Sequence, residues 1–176
     1  MNNLKSVLRS TTVMFLFVGL LGIWMGGCQT QEQKEIKRLI GELQDQDEDS
    51  SVRSNAAIAL GNIGEGAKDA VPALIQALQD QNSEIRYHAA MALGEIGSGA
   101  ADAVSALIQA LQDQDVRVIA AYALGRIGEG AKDAVPALIP LLQDQDIGVR
   151  VRAAWALGRI GTPEALKTVE EYQSRQ

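Results

Sequence analysis

The seventeen residues Ala59-Leu-Gly-Asn-Ile-Gly-Glu-Gly-Ala-Lys-Asp-Ala-Val-Pro-Ala-Leu-Ile75 return at Ala123–Ile139 with one change, Asn62 against Arg126. Shorter fragments of the same text recur at intermediate places. Ala-Leu-Gly begins at Ala59, Ala92, Ala123 and Ala156, at spacings of 33, 31 and 33 residues. Leu-Gln-Asp-Gln begins at Leu43, Leu78, Leu111 and Leu142, and an aliphatic-Arg pair stands at Val52-Arg53, Ile85-Arg86, Val116-Arg117 and Val149-Arg150. A fixed period in this range marks a chain built from stacked supersecondary units, none of which buries its apolar face alone.

Each unit reads as two helices. In the first, Leu74, Ile75 and Leu78 fall at helical spacing, and Pro72 and Pro136 fall in the first turn, where the missing N–H costs little. Asp69, Asp102 and Asp133 are predicted to cap these helices through their side chains. Pro140 lies well inside its helix and is expected to bend it. The second helix, Val52–Ile63, places Val52, Ala56, Ala59, Leu60 and Ile63 on one face, with alanines small enough for close helix packing. Gly64, Gly97, Gly128 and Gly161 follow the last apolar residue and are expected to form left-handed caps. Length differences fall in the inter-helix turns: two extra residues near Glu48-Asp49 and two fewer before Val116.

The Asp-Ala-Val-Pro-Ala-Leu run, the Asp of Leu-Gln-Asp, the aliphatic-Arg pair and Ala-Ala-x-Ala-Leu-Gly-x-Ile-Gly together resemble HEAT repeats, in the short form of phycobilisome-lyase-like HEAT proteins. The resemblance implies an all-α fold, an α-solenoid (alpha-alpha superhelix) of about four helix pairs at 34–64, 68–97, 101–128 and 132–161. A capping helix follows over 162–173, its wet outer face suited to a terminal position. It also implies a structural ladder in which Arg53, Arg86, Arg117 and Arg150 pair with the turn residues Asp45, Asp80, Asp113 and Asp144.

Composition narrows the function. The chain has 176 residues, 16 basic against 22 acidic, so net charge is −6, which disfavours nucleic acid as a partner. One Cys and one His exclude an internal disulfide and a multi-histidine metal site. Gly61–Gly66 and Gly125–Gly130 have the glycine spacing of a phosphate loop. Ala67 and Ala131 stand where that loop needs Lys, and the glycines end a helix instead of following a strand. His88 is followed by Ala89, so the paired His-Glu motifs of HEAT-type di-iron hydroxylases are missing. No nucleophile-and-base pair is recognised, and no catalytic residue, metal or cofactor is expected.

The N-terminus reads as an address. Lys5 and Arg9 precede an uncharged, largely apolar run, Val13–Trp24, shorter than the ~20 residues a spanning helix needs. Met25-Gly26-Gly27-Cys28 resembles the bacterial lipoprotein signal, with Met where Leu is more usual. The expectation is a signal peptide over 1–27, lipidation of Cys28, a tether over 28–33 and a solenoid over 34–173. The protein is thus expected outside the cytoplasm, held to a bacterial membrane. Gln29, in place of the Asp that retains such proteins at the inner membrane, leans towards the outer one.

Positions that vary between units sit four residues apart on the second helices. They are Ser54, Tyr87, Val118 and Val151; Ile58, Met91, Tyr122 and Trp155; and Asn62, Glu95, Arg126 and Arg159. Asn55, His88, Ile119 and Arg152 lie beside them. In HEAT-like solenoids the second helices line the concave side. The expected partner surface is therefore Tyr87, His88, Met91, Glu95, Tyr122, Arg126, Arg152, Trp155 and Arg159, aromatic along its middle and basic towards the C-terminal units. The function expected is non-catalytic binding of another protein, through an acidic segment facing those units. The alternatives are a bilin-lyase-like or chromophore-handling subunit, as the family resemblance suggests, and a purely structural envelope spacer.

Overall fold

The structure is a computed structural model that describes residues 31–175. The chain divides into two compact units, Met1–Lys37 and Arg38–Gln176. Residues 31–37 are the described part of the first; they are helical, and Ile36 is buried. Cys28 and the segment read as a signal peptide lie outside the described residues. Helix α1 covers 31–44, so three residues assigned to the tether are already helical.

Four second helices, α2 (Ser50–Ile63), α4 (Ser83–Ile96), α6 (Arg117–Ile127) and α8 (Ile147–Ile160), pack on one another in order. The shorter first helices α3 (Val71–Ala77), α5 (Val104–Ala110) and α7 (Val135–Leu138) alternate with them, and α9 (Pro163–Gln173) ends the series. The core repeats with the sequence. Leu60, Leu93, Leu124 and Leu157 are fully buried on the second helices, and Leu74, Leu107 and Leu138 on the first. Each such leucine contributes about 1.5–3 kcal/mol by leaving water.

The helix junctions differ from expectation in three ways. Asp69, Asp102 and Asp133 are exposed and cap nothing, because each lies inside a 3-10 segment (Gly64–Ala70, Gly97–Ala103, Gly128–Ala134) that leads straight into the next helix. The side-chain caps are elsewhere: Asn82, Asp146 and Thr162 accept from Glu84, Gly148 and Ala165 backbone N–H. The deletion before Val116 has a structural cost there, since α6 starts late and carries no side-chain cap. Gly64, Gly97 and Gly128 do have positive φ, yet their ψ near −131° to −134° is not left-handed helix; only Gly161 (φ 72°, ψ 14°) is. That first conformation is open essentially to glycine alone and turns the chain sharply into the 3-10 segment. Pro140 does more than bend its helix. It ends α7 and passes the chain into a 3-10 segment, Pro140–Gln143.

Candidate functional site

The turn between helices is built around one carboxylate per unit. Asp80, Asp113 and Asp144 each accept the backbone N–H two residues on through Oδ1, from Asn82 (2.8 Å), Asp115 (3.0 Å) and Asp146 (2.9 Å). This local turn aims Oδ2 at the preceding second helix. There it meets the guanidinium of Arg53, of Arg86 (2.7 Å) and of Arg117 (2.8 Å) respectively. Three rungs are thus formed among the described residues. Asp45 makes the same turn with Asp47, and among the described residues no ion pair joins it to an arginine or joins Arg150 to a carboxylate at ladder distance, although the Arg150 charge acts on Asp144. Arg150 donates to the Asp144 and Gln145 carbonyls, the same backbone contact that Arg86 makes with Asp80 and Gln81 beside its ion pair with Asp113. Asp45 and Arg150 are the first and last members of the two series among the described residues.

Two of these acids are held below the usual carboxylate range. At Asp113 partial burial acts upward, but the Asp115 amide and the Arg86 and Arg117 charges together outweigh it. At Asp144 the Asp146 amide leads, and the Arg117 and Arg150 charges add to it against a smaller effect of burial.

The variable ribbon divides into parts. Tyr122 and Trp155 stack with centroids 5.4 Å apart and planes 15° apart. Tyr122 Oη donates to Glu95 Oε1 (3.0 Å), and Arg126 binds both Glu95 Oε2 (3.2 Å) and Tyr122 Oη (3.1 Å). Arg152 lies over the Tyr122 ring at 5.2 Å, with Arg126 at 5.9 Å. One cluster therefore joins Glu95, Tyr122, Arg126, Arg152 and Trp155 across α4, α6 and α8. The single change between the two long repeats, Asn62 to Arg126, is what completes it. Tyr87 and His88 form a separate edge-to-face pair at 5.3 Å, and Met91 is half-buried. Ser54 and Ile119, which the columns placed on the ribbon, are buried instead.

The electrostatics of this cluster are uneven. Glu95 offsets Arg126. Arg152 and Arg159 are exposed and have no carboxylate partner among the described residues, so the α8 end is positive on an acidic molecule. No group of three His, Cys, Asp or Glu side chains suited to a metal occurs among the described residues. The phosphate-loop-like glycines serve packing and turning: Gly61 lies against Ala92, and Gly64 supplies a positive φ.

Paired helices stacked through a shared layer and tied by an Arg–Asp ladder define an α-solenoid. The HEAT repeats family matches residues 36–115 and 104–175, and the chain belongs to that family. No curated protein matches it. Among solved structures, an engineered protein is 28% identical with a TM-score of 0.60, over 78% of this chain and 68% of that one. A designed armadillo repeat protein in complex with peptide (KR)4 is 24% identical, TM-score 0.64, over 84% and 76%. The complex of CpcE and CpcF of phycocyanin lyase from Nostoc sp. PCC7120 is 23% identical, TM-score 0.61, over 80% and 86%. The last two likenesses concern the fold.

Proposed function

We propose that this chain is a non-catalytic scaffold that binds another protein on its second-helix ribbon, tethered outside the cytoplasm through lipidated Cys28. The observation that carries the binding reading is the cationic end of the ribbon. Arg152 and Arg159, beside the stacked Tyr122–Trp155 pair, are exposed without carboxylate partners on a molecule of net charge −6. Arg and large aromatics are the residue types that dominate binding energy at protein interfaces. The designed armadillo repeat protein of similar fold is in complex with the basic peptide (KR)4; for the cationic end of this ribbon the complementary ligand is acidic. The address rests on Met25–Cys28 and the basic-then-apolar run before it.

Two measurements test the two halves. Arg152→Glu with Arg159→Glu is expected to abolish partner capture in native envelopes while leaving thermal stability near that of the parent; capture that persists contradicts the ribbon. Metabolic acyl labelling is expected to mark the parent and not Cys28→Ala; equal labelling, or none of either, removes the lipid anchor.

A further inference from the structure

The variable positions of the second helices include three arginines, Arg126, Arg152 and Arg159, and a single acid, Glu95. That acid is held by both of its oxygens. Glu95 Oε1 accepts from Tyr122 Oη at 3.0 Å, and Glu95 Oε2 lies 3.2 Å from the Arg126 guanidinium, which also donates to Tyr122 Oη. Arg152 stands over the same Tyr122 ring, its Cζ 5.2 Å from the centroid against 5.9 Å for Arg126. The Arg152 side chain has no hydrogen bond or ion pair among the described residues. Two guanidinium groups and a phenol thus converge where one carboxylate sits.

The donors are fixed by packing and do not depend on Glu95. The Tyr122 ring lies against Gly94 of α4, where an added Cβ would fall 3.5 Å from its Cε1, and Trp155 of α8 stacks on it. Trp155 is seated in turn against Gly125. The arrangement lies wholly between α4, α6 and α8. It is also reachable, since the Arg126 and Glu95 side chains are 38% and 37% exposed. An ion pair so open to water contributes little to stability, and Glu95 set free from it would still be hydrated. Exchange of one carboxylate for another therefore leaves no buried charge unpaired.

We infer that Tyr122, Arg126 and Arg152 form a seat for one Asp or Glu side chain of the partner protein, and that Glu95 fills this seat until the partner's acid replaces it. The inference rests on the reading of the ribbon as the partner surface and names its central contact. Glu95 itself shows the chemistry: a planar pair of oxygens, one taking a phenol O–H and the other a guanidinium. It also sets selectivity. A segment without an acid gains nothing by displacing Glu95, so the internal carboxylate acts against such competitors. Arg126, the one residue by which the second long repeat differs from the first, is the member that both acids must share.

The probe is an octapeptide of alternating Asp and Glu, titrated calorimetrically against the full-length protein. Glu95→Gln keeps an acceptor for Tyr122 and is expected to tighten binding by about threefold, the scale of an exposed ion pair. The charge-matched Glu65→Gln, exposed in the 3-10 segment after α2, is expected to leave binding near the parent value. Arg126→Asn installs the residue found at position 62; it is expected to weaken binding and, combined with Glu95→Gln, to erase the gain. Circular dichroism checks the fold of each variant. The seat is overturned if Glu95→Gln binds no tighter than the parent or binds no peptide, if Glu65→Gln gains as much, or if the gain survives Arg126→Asn. Failure of the ribbon reading looks different: partner capture then persists in Arg152→Glu with Arg159→Glu, whereas loss of the seat alone leaves capture sensitive to that pair.

Discussion

At the scale of the residue, one letter has opposite meanings at two equivalent positions. Gly125 is crowded: a Cβ there would fall 2.8 Å from Trp155 Cε3 and 2.9 Å from Ala156 Cα. Gly125→Ala is therefore expected to destabilise the chain by about 1–3 kcal/mol, as overpacking does. Gly158→Ala meets open space in mid-helix and is expected to stabilise it by about 0.5–1 kcal/mol, from the conformational freedom that glycine loses on folding. Urea unfolding of the two variants reads the difference directly, and equal effects would contradict the packing described here. The sequence shows four identical Ala-Leu-Gly motifs; which glycine is crowded depends on the helix packed against it, which no residue near it announces.

At the scale of the element, the turns carry both stability and pH dependence. Asp113 and Asp144 release their protons more readily in the folded protein than in the unfolded chain. The stability they contribute is thus complete above the unfolded carboxylate value of about 3.9 and is lost as pH falls through their lower folded values. Thermal melts are expected to drop between about pH 5 and pH 3. Asp144→Asn should lower the melting temperature at pH 7 and flatten that drop; an unaltered acid limb would remove Asp144 from the account. The same element scale exposes the effect of Pro140. The repeat puts it opposite Gln76, whose side chain accepts from Gln44, and helix α3 runs to Ala77 where α7 stops at Leu138. Pro140→Gln is expected to lengthen α7 and raise stability by about 1–3 kcal/mol, with a matching gain in far-ultraviolet helicity.

Much of this scale was legible from sequence because period and apolar spacing are set by the units themselves. Leu60, Leu93, Leu124 and Leu157 mark the second helices wherever they occur. The junctions were less legible. Asp69 has the residue type of a cap, but the 3-10 segment leaves no free helix start for it to cap. Asn82 and Asp146, which do cap, are disguised as turn residues two places after the ladder aspartate. Pairing of Arg53 with Asp80 twenty-seven residues on is likewise a property of the stack and not of either helix.

At the scale of the whole chain, charge is distributed against the average. An acidic molecule ends its second-helix layer in Arg152 and Arg159, while Asn55 and Asn62 hold the matching positions at the other end. The residue types of this ribbon were readable in the variable columns. What was not readable is how far it engages itself: Glu95 takes Arg126 and Tyr122, and Trp155 covers Tyr122, so the side chains left for a partner are fewer than the columns suggest. Ser54 and Ile119 are buried and offer a partner nothing.

Positions 55 and 152 occupy the same helical register at opposite ends of the layer, and both are exposed. Photo-crosslinking from each, in otherwise identical protein in native envelopes, compares the two ends with everything else held constant. A partner-binding ribbon with its cationic end at α8 predicts capture of the same protein partner from 152 and little from 55. Equal capture from both positions, or capture from 55 alone, contradicts it.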